Sequence, residues 1–255
     1  MDIAHGAGLF AAAAGAGGVD AIVGGGGLIM LPTLLVAFPA LPAATALGTN
    51  KLVGISGTST AALTYTRRTP VDKRVVLPAA AWAVLCAALG AVSASALPTR
   101  VFRPIVMVLL TAVALFVVFR PAFGAEAGAK EASRRRRVAT TLLAGAVIGF
   151  YDGIFGPGTG TFLIICFTIG LFTEFVASSA MAKVVNTGTN LGALVVFAVG
   201  GHVMWTLGAG MAVCNIAGAR AGSRLALKRG AGFVRVVLLV VVTVMVAKMG
   251  YDQFG

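Results

Sequence analysis

Two stretches of this 255-residue chain place a lysine inside an otherwise apolar segment: LGTNKLVGISGTSTAALTY at 47–65, holding Lys51, and SAMAKVVNTGTNLGALVVF at 179–197, holding Lys183. An ammonium in such a segment costs several kcal/mol unless it snorkels to an interface, pairs, or faces water. Neutral hydrogen-bonding residues stand within about two helical turns of each: Thr49, Asn50, Ser56 and Thr58 around the first, and Asn186, Thr187, Thr189 and Asn190 around the second. Ammonium, hydroxyl and amide donors gathered in this way describe a pocket for a small oxyanion. Snorkelling is the alternative, since each lysine stands only about two turns from the start of its segment.

Two glycine tracts precede those segments, GGGG at 24–27 and GPGTG at 156–160. A break in a membrane helix frees backbone N–H and C=O groups, which is tolerable only where protein or a wet cavity satisfies them. A helix restarting after the break aims its free N–H groups and the positive end of its dipole at that cavity. Gly25, Gly26 and Gly27, and later Gly158 and Gly160 around Thr159, would let a ligand approach the backbone closely. Tight helix packing through small residues is the competing explanation. No Walker lysine pattern accompanies the glycines, so a nucleotide loop is not supported. Asp20 and Asp152 lie just upstream of the breaks. Ion pairing with the lysines, proton coupling and helix capping are all open to them. The expected substrate contacts are Gly25, Gly26, Gly27, Thr49, Asn50 and Lys51, then Gly158, Thr159, Gly160, Lys183, Asn186 and Asn190.

These residues recur at one fixed spacing. Shifted by 132 positions without gaps, Asp20 meets Asp152, Gly24 meets Gly156, Gly26 meets Gly158, Lys51 meets Lys183, Gly90 meets Gly222, Arg103 meets Arg235 and Thr111 meets Thr243. Apolar coincidences would mean little in such a chain, but matched charges and glycines indicate an internal duplication, a common design in secondary transporters. The expected organisation is a first transmembrane repeat at 1–120, a basic polar linker at 121–137, and a second repeat at 138–255. Each repeat reads as a long glycine-broken element (4–38; 138–172), a lysine-bearing span (43–65; 175–199), and two further spans (75–97 and 104–120; 206–227 and 232–250).

Composition agrees with an all-α polytopic membrane protein. Residues are 58% hydrophobic and 11% charged, against roughly 25% charged in soluble domains, and the apolar runs are of helix length rather than the short alternating strands of a barrel. The formal charge of +12 gathers in loops: Arg67, Arg68, Lys73 and Arg74; Lys130 and Arg134 to Arg137; Lys228 and Arg229. Loops of that kind follow the positive-inside rule and argue against a nucleic-acid partner. The basic loop after the first lysine span has an uncharged counterpart, GGHVMWTL, whereas the next loop is the more basic one in the second half. That reversal favours inverted repeats, which need an odd number of crossings per half; Arg100 and Arg103 speak against it. At 1.5 Å per residue the broken element would be about 50 Å long, so a hairpin of two shorter helices would supply the fifth crossing.

Cys86, Cys166 and Cys214 lie in apolar runs without metal or redox spacing, and His5 and His202 are too few and too far apart for a metal site. No cofactor or metal is expected. Without paired histidines, a cysteine cluster, a GxSxG elbow or an intramembrane carboxylate dyad, an enzyme is disfavoured, and an anion channel is the nearer rival to a transporter. The expected partners are a small anion and the lipid bilayer, with a homodimer left open.

The segments GGGGLIMLPTLL and TALGTNKLVGISGTSTAALTYTRR, with GFYDGIFGPGTGTFL and AKVVNTGTNLGALVVF, resemble the TauE/SafE sulfite-exporter-like family over nearly the whole chain. FYDGIFGPGTG is similar to its YfcA-like branch. The resemblance implies a bacterial inner-membrane secondary transporter for sulfite, sulfonates or related compounds, and leaves the direction of transport open. The second tract replaces two glycines with Pro157 and Thr159, which makes the two half-sites unequal.

Overall fold

The computed structural model describes residues 3–96 and 131–254, all helix and connecting turns. The helices are α1 (Ile3–Val23), α2 (Gly26–Ala37), α3 (Ala43–Thr66), α4 (Lys73–Ser95), α5 (Arg134–Leu142), a π turn (Leu143–Val147) leading into α6 (Ile148–Ile154), α7 (Thr159–Leu171), α8 (Phe175–Val199) and α9 (Trp205–Phe254). The expected span 104–120 and most of the expected linker lie outside the described residues. Inside that linker stretch, α5 already begins at Arg134, because the Ser133 hydroxyl accepts from the Arg136 N–H and caps the helix.

Both long first elements break where the glycines stand. Gly24 and Gly156 adopt φ of 81° and 87°, a left-handed conformation that strains any residue with a Cβ. Gly24 turns the chain so that Gly26 returns against Ala16 and Asp20 of α1. α9 is interrupted at Gly230, where φ is 70° and ψ −167°, which separates the spans expected at 206–227 and 232–250.

Small residues set the packing. Gly17 and Gly18 of α1 stand against the backbone of α9 at Asn215 and Gly218, and Gly145, Gly149 and Gly153 of the α5–α6 segment stand against α4 at Ala79, Ala83 and Ala87. Such contacts let helix axes approach closely, the usual means of association where burial from water offers little drive. The central pair, α3 and α8, runs antiparallel: Gly48 faces Phe197, Gly54 faces Asn190, and Tyr65 shares a cluster with Phe175.

Outward-facing side chains are apolar, among them Leu77, Leu85, Leu89, Val147, Val195 and Val213, while Lys51, Lys183, Asp152, Asn186 and Asn190 are buried. By length and composition Gly6–Val23, Lys73–Ser95 and Phe175–Val199 can each cross a membrane. The basic clusters collect at one end of the bundle. Arg137 lies 3.9 Å from Asp72, beside Lys73 and Arg74, and Ala226, just before Lys228 and Arg229, packs with Tyr65, just before Arg67.

Candidate functional site

The two breaks meet. A Cβ built on Gly24 would lie 2.2 Å from the Gly160 carbonyl carbon, and one on Gly160 would lie 2.4 Å from the Gly24 Cα, so only bare backbone fits at this contact. Carbonyls freed by the breaks find side-chain donors: the Thr161 hydroxyl donates to Val23 O (2.8 Å), Tyr65 to Ala21 O (2.9 Å) and Tyr151 to Pro157 O (2.7 Å). This is the accounting that broken helices require in an apolar setting.

Each lysine reaches across to the aspartate beside the other break. Lys51 Nζ donates to Asp152 Oδ2 at 2.7 Å and to the Asp152 carbonyl at 2.6 Å. Lys183 Nζ donates to Asp20 Oδ2 at 2.9 Å and to the Asp20 carbonyl. The side chains of Lys51 and Asp152 are 1% and 3% exposed, those of Lys183 and Asp20 0% and 13%. Both ammonium groups therefore sit at the C-terminal end of a broken helix, where the dipole favours a cation. The remaining carboxylate oxygens serve the restarting helices: Asp152 Oδ1 accepts from the Thr159 hydroxyl (2.6 Å) and Asp20 Oδ1 from the Gly26 N–H (3.2 Å). The aspartates are thus ion-pair partners and caps at once.

Between the breaks lies a cavity that leaves about 40 Å³ open to the centre of a water molecule, room for roughly two or three waters. Of the residues expected at the site, Gly26, Gly27, Asn50, Lys51, Thr159, Gly160, Asn186 and Asn190 line it, as do Asp20 and Asp152. Four do not. Gly25 is buried against side chains of Val19, Val23 and Leu28, and Gly158 caps α7 with φ of 79°. The Thr49 hydroxyl accepts from the Met204 N–H at 3.0 Å, which ties α3 to the turn before α9. Lys183 is spent on Asp20.

Asn215 of α9 is a lining residue that the sequence alone did not mark. It is 4% exposed, and its Nδ2 donates to Ala13 O at 2.9 Å. Among the amides at the cavity, Asn190 Nδ2 is bonded to Asn186 O at 2.8 Å. Asn186 Oδ1 accepts from Thr189 Oγ1 and Asn190 Nδ2 while its own Nδ2 has no partner among the described residues, and Asn50, 7% exposed, has none there at either amide atom. The Asn50 amide atoms open onto the cavity rather than being sealed in the packing, for among the described residues the buried side-chain polar atom without a partner is Thr168 Oγ1. The site therefore combines two internally neutralised ion pairs, the N-terminal ends of α2 and α7, and the free amide nitrogens of Asn50 and Asn186.

Apolar helices broken around buried ion pairs define an integral membrane protein of helical type. The chain belongs to the Sulfite exporter TauE/SafE family, whose model matches residues 9–249. It is 39% identical over 233 residues to the "Probable membrane transporter protein ORF9" of Sinorhizobium sp, covering 91% of this chain and 87% of the relative. It is 34% identical over 238 residues to a "Probable membrane transporter protein" of Haemophilus influenzae (92% and 90%), and 35% identical over 250 residues to the "Probable membrane transporter protein YfcA" of Escherichia coli K12 (97% and 90%). No solved structure matches the chain significantly.

Proposed function

We propose that this chain is a secondary transporter that moves a small sulfur-containing anion, sulfite, a sulfonate or a related ion, across the bacterial inner membrane by alternating access. It performs no chemistry on its substrate. The observation that carries the reading is the free amide of Asn50, facing a polar cavity between two helix restarts. Restarted helices direct N–H groups and positive dipole ends at that cavity, a setting suited to an anion that has shed its water. The family description, sulfite exporter, supports the substrate class.

The two halves, 1–120 and 138–255 on either side of the 121–137 linker, act as inverted repeats. The antiparallel α3–α8 pair and the reciprocal Lys51–Asp152 and Lys183–Asp20 bonds support that arrangement, which a two-fold relation would produce. The backbone contact of Gly24 with Gly160 packs the two breaks directly against each other, which supports alternating access over an open channel.

The two crossed lysine–aspartate pairs carry no net formal charge. An anion gains a cation there only when a carboxylate is neutralised, so a proton on Asp152 would release Lys51 to the substrate. Among the described residues, Tyr151 beside Asp152 and Tyr65 beside Asp20 are the other titratable groups facing the pairs. The test is flux into proteoliposomes with an imposed pH gradient, using sulfite, thiosulfate, sulfoacetate and taurine. Saturable, gradient-stimulated uptake of at least one of these is expected. Non-saturating flux would turn the reading toward a channel, and no flux of any panel member in either orientation would remove the sulfur-anion assignment.

A further inference from the structure

A second cavity lies at the basic end of the bundle, well away from the helix breaks. It has a volume of about 470 Å³ and is formed between the starts of α4 and α5 by Arg74, Glu131, Arg134, Arg137, Val138 and Thr141, among others, within the size range of ligand pockets. Cationic residues crowd the first turns of both helices, Lys73–Arg74 and Arg134–Arg137, where the positive dipole end already disfavours them. Two carboxylates stand among these six cations: Glu131, which lines the cavity and makes no ion pair among the described residues, and Asp72, which caps α4 and lies 3.9 Å from Arg137. Arg136 is committed elsewhere, to the carbonyls of Ile169 and Gly170 and the ring of Phe172. Among the described residues, the guanidinium groups of Arg74 and Arg134 have no ion-pair or hydrogen-bond partner.

Below the cavity the surface is greasy. Arg134, Val138 and Leu142 follow one another at four-residue spacing on α5, and Val138 and Leu142 are 53% and 46% exposed. On α4 the face below Arg74 carries exposed Leu77, Trp82 and Leu85. The π turn that continues α5 packs on α4 through Gly145 against Ala79, so two apolar stripes descend side by side, each headed by an unpaired arginine. A phosphate diester suits paired guanidinium groups, and acyl chains suit the stripes beneath.

We propose that this cavity binds the headgroup phosphate of an anionic diacyl phospholipid, held by Arg74, Arg134 and Arg137, with its acyl chains along α4 and α5. Positive-inside charge alone would attract such lipids diffusely; the inference is a defined site. The test uses the full chain in neutral detergent, with lipid binding followed by native mass spectrometry and thermal stability. The probes are phosphatidylglycerol, phosphatidylcholine with the same acyl chains, and inorganic phosphate. Phosphatidylglycerol is expected to bind and to raise the melting temperature, and R74Q/R134Q to weaken that binding about tenfold or more. Because both residues are exposed, lipid-free melting of the variant should match wild type. R135Q/K73Q removes the same charge from exposed residues that do not line the cavity and should leave binding nearly intact. Equal loss in that control, equal binding of phosphatidylcholine, or phosphate binding as tight as the lipid would each overturn the proposal.

Discussion

Replacing Lys51 by methionine keeps side-chain length and helix propensity, but it strips the counter-ion from Asp152. Both side chains are nearly sealed from solvent, at 1% and 3% exposure, so the screening that makes surface pairs weak does not apply. Removing one member of a buried pair costs about 3–5 kcal/mol because it strands the other charge. Asp152 would retain the Thr159 hydroxyl, while its carbonyl would lose the second Lys51 bond. K51M should therefore destabilise the protein by about 3–5 kcal/mol. The charge-neutral double variant K51M/D152N should recover most of that loss, since asparagine can still accept from Thr159 and carries no charge. The assay is equilibrium unfolding in detergent for the wild type, both single variants and the double, closed as a double-mutant cycle. The cycle also separates stability from transport: the double variant should fold but fail to move anions. If K51M is as stable as wild type, the buried pair is not as described. If the double variant transports normally, the pair has no part in the transport cycle.

Other outcomes follow from the same geometry. D152N and D20N, each mimicking a protonated carboxylate, should abolish stimulation by a pH gradient while anion exchange at equal pH persists; unchanged gradient dependence in both would exclude these residues as proton carriers. Gly24→Ala would place a methyl 2.2 Å from the Gly160 backbone at a φ of 81° and should cost well over about 1–3 kcal/mol. Gly201→Ala, at a φ of 72° with nothing within 4 Å, should show the backbone strain alone, about 1 kcal/mol; equal melting temperatures for the two variants would refute the tip contact. In a background with Cys86, Cys166 and Cys214 replaced, single cysteines at Arg68 and His202 should react with a membrane-impermeant thiol reagent from opposite sides, and labelling from one side only would rule out inverted halves.

Much of the candidate cavity's lining was legible in the sequence because its signals are rare ones. Lysine within apolar segments and runs of glycine have few structural uses in a membrane chain, and the 132-residue offset doubled each signal. Residue type did not fix direction, however. Thr49 sits beside Asn50 in sequence, yet its hydroxyl serves a backbone N–H on the turn before α9. Lys183 is the counterpart of Lys51, yet only Lys51 lines the cavity. Asn215 escaped notice because its counterpart in the first half is Ala83, so comparison of the halves passes over it; α9 brings it to the cavity only by packing on α1 and α3. Gly25 is one of four identical neighbours, and only the backbone conformation tells which glycine turns the chain and which merely packs.

The least legible feature was the crossing of the ion pairs. Comparison of the halves aligns Asp20 with Asp152 and Lys51 with Lys183 but says nothing of who bonds whom. The partners are separated by 101 and 163 residues, equally below and above the 132-residue offset, as expected when each half lends its lysine to the other. Crossed pairs restrain motion of one half against the other, which pairs within a half would not. In the proposed cycle they serve as latches, and the latches are unequal. Asp152 is 3% exposed and held by a hydroxyl, whereas Asp20 is 13% exposed and held by a longer bond to a backbone N–H. Were the two halves inverted repeats that exchange conformations as one rocks against the other, their exposures would exchange too. The opposite state would then seal Asp20 and open Asp152, so each carboxylate would meet water from its own side of the membrane. A proton taken up at one latch and released at the other is the form of coupling this asymmetry supports, and it requires both aspartates, which is why D20N and D152N should each suffice to uncouple.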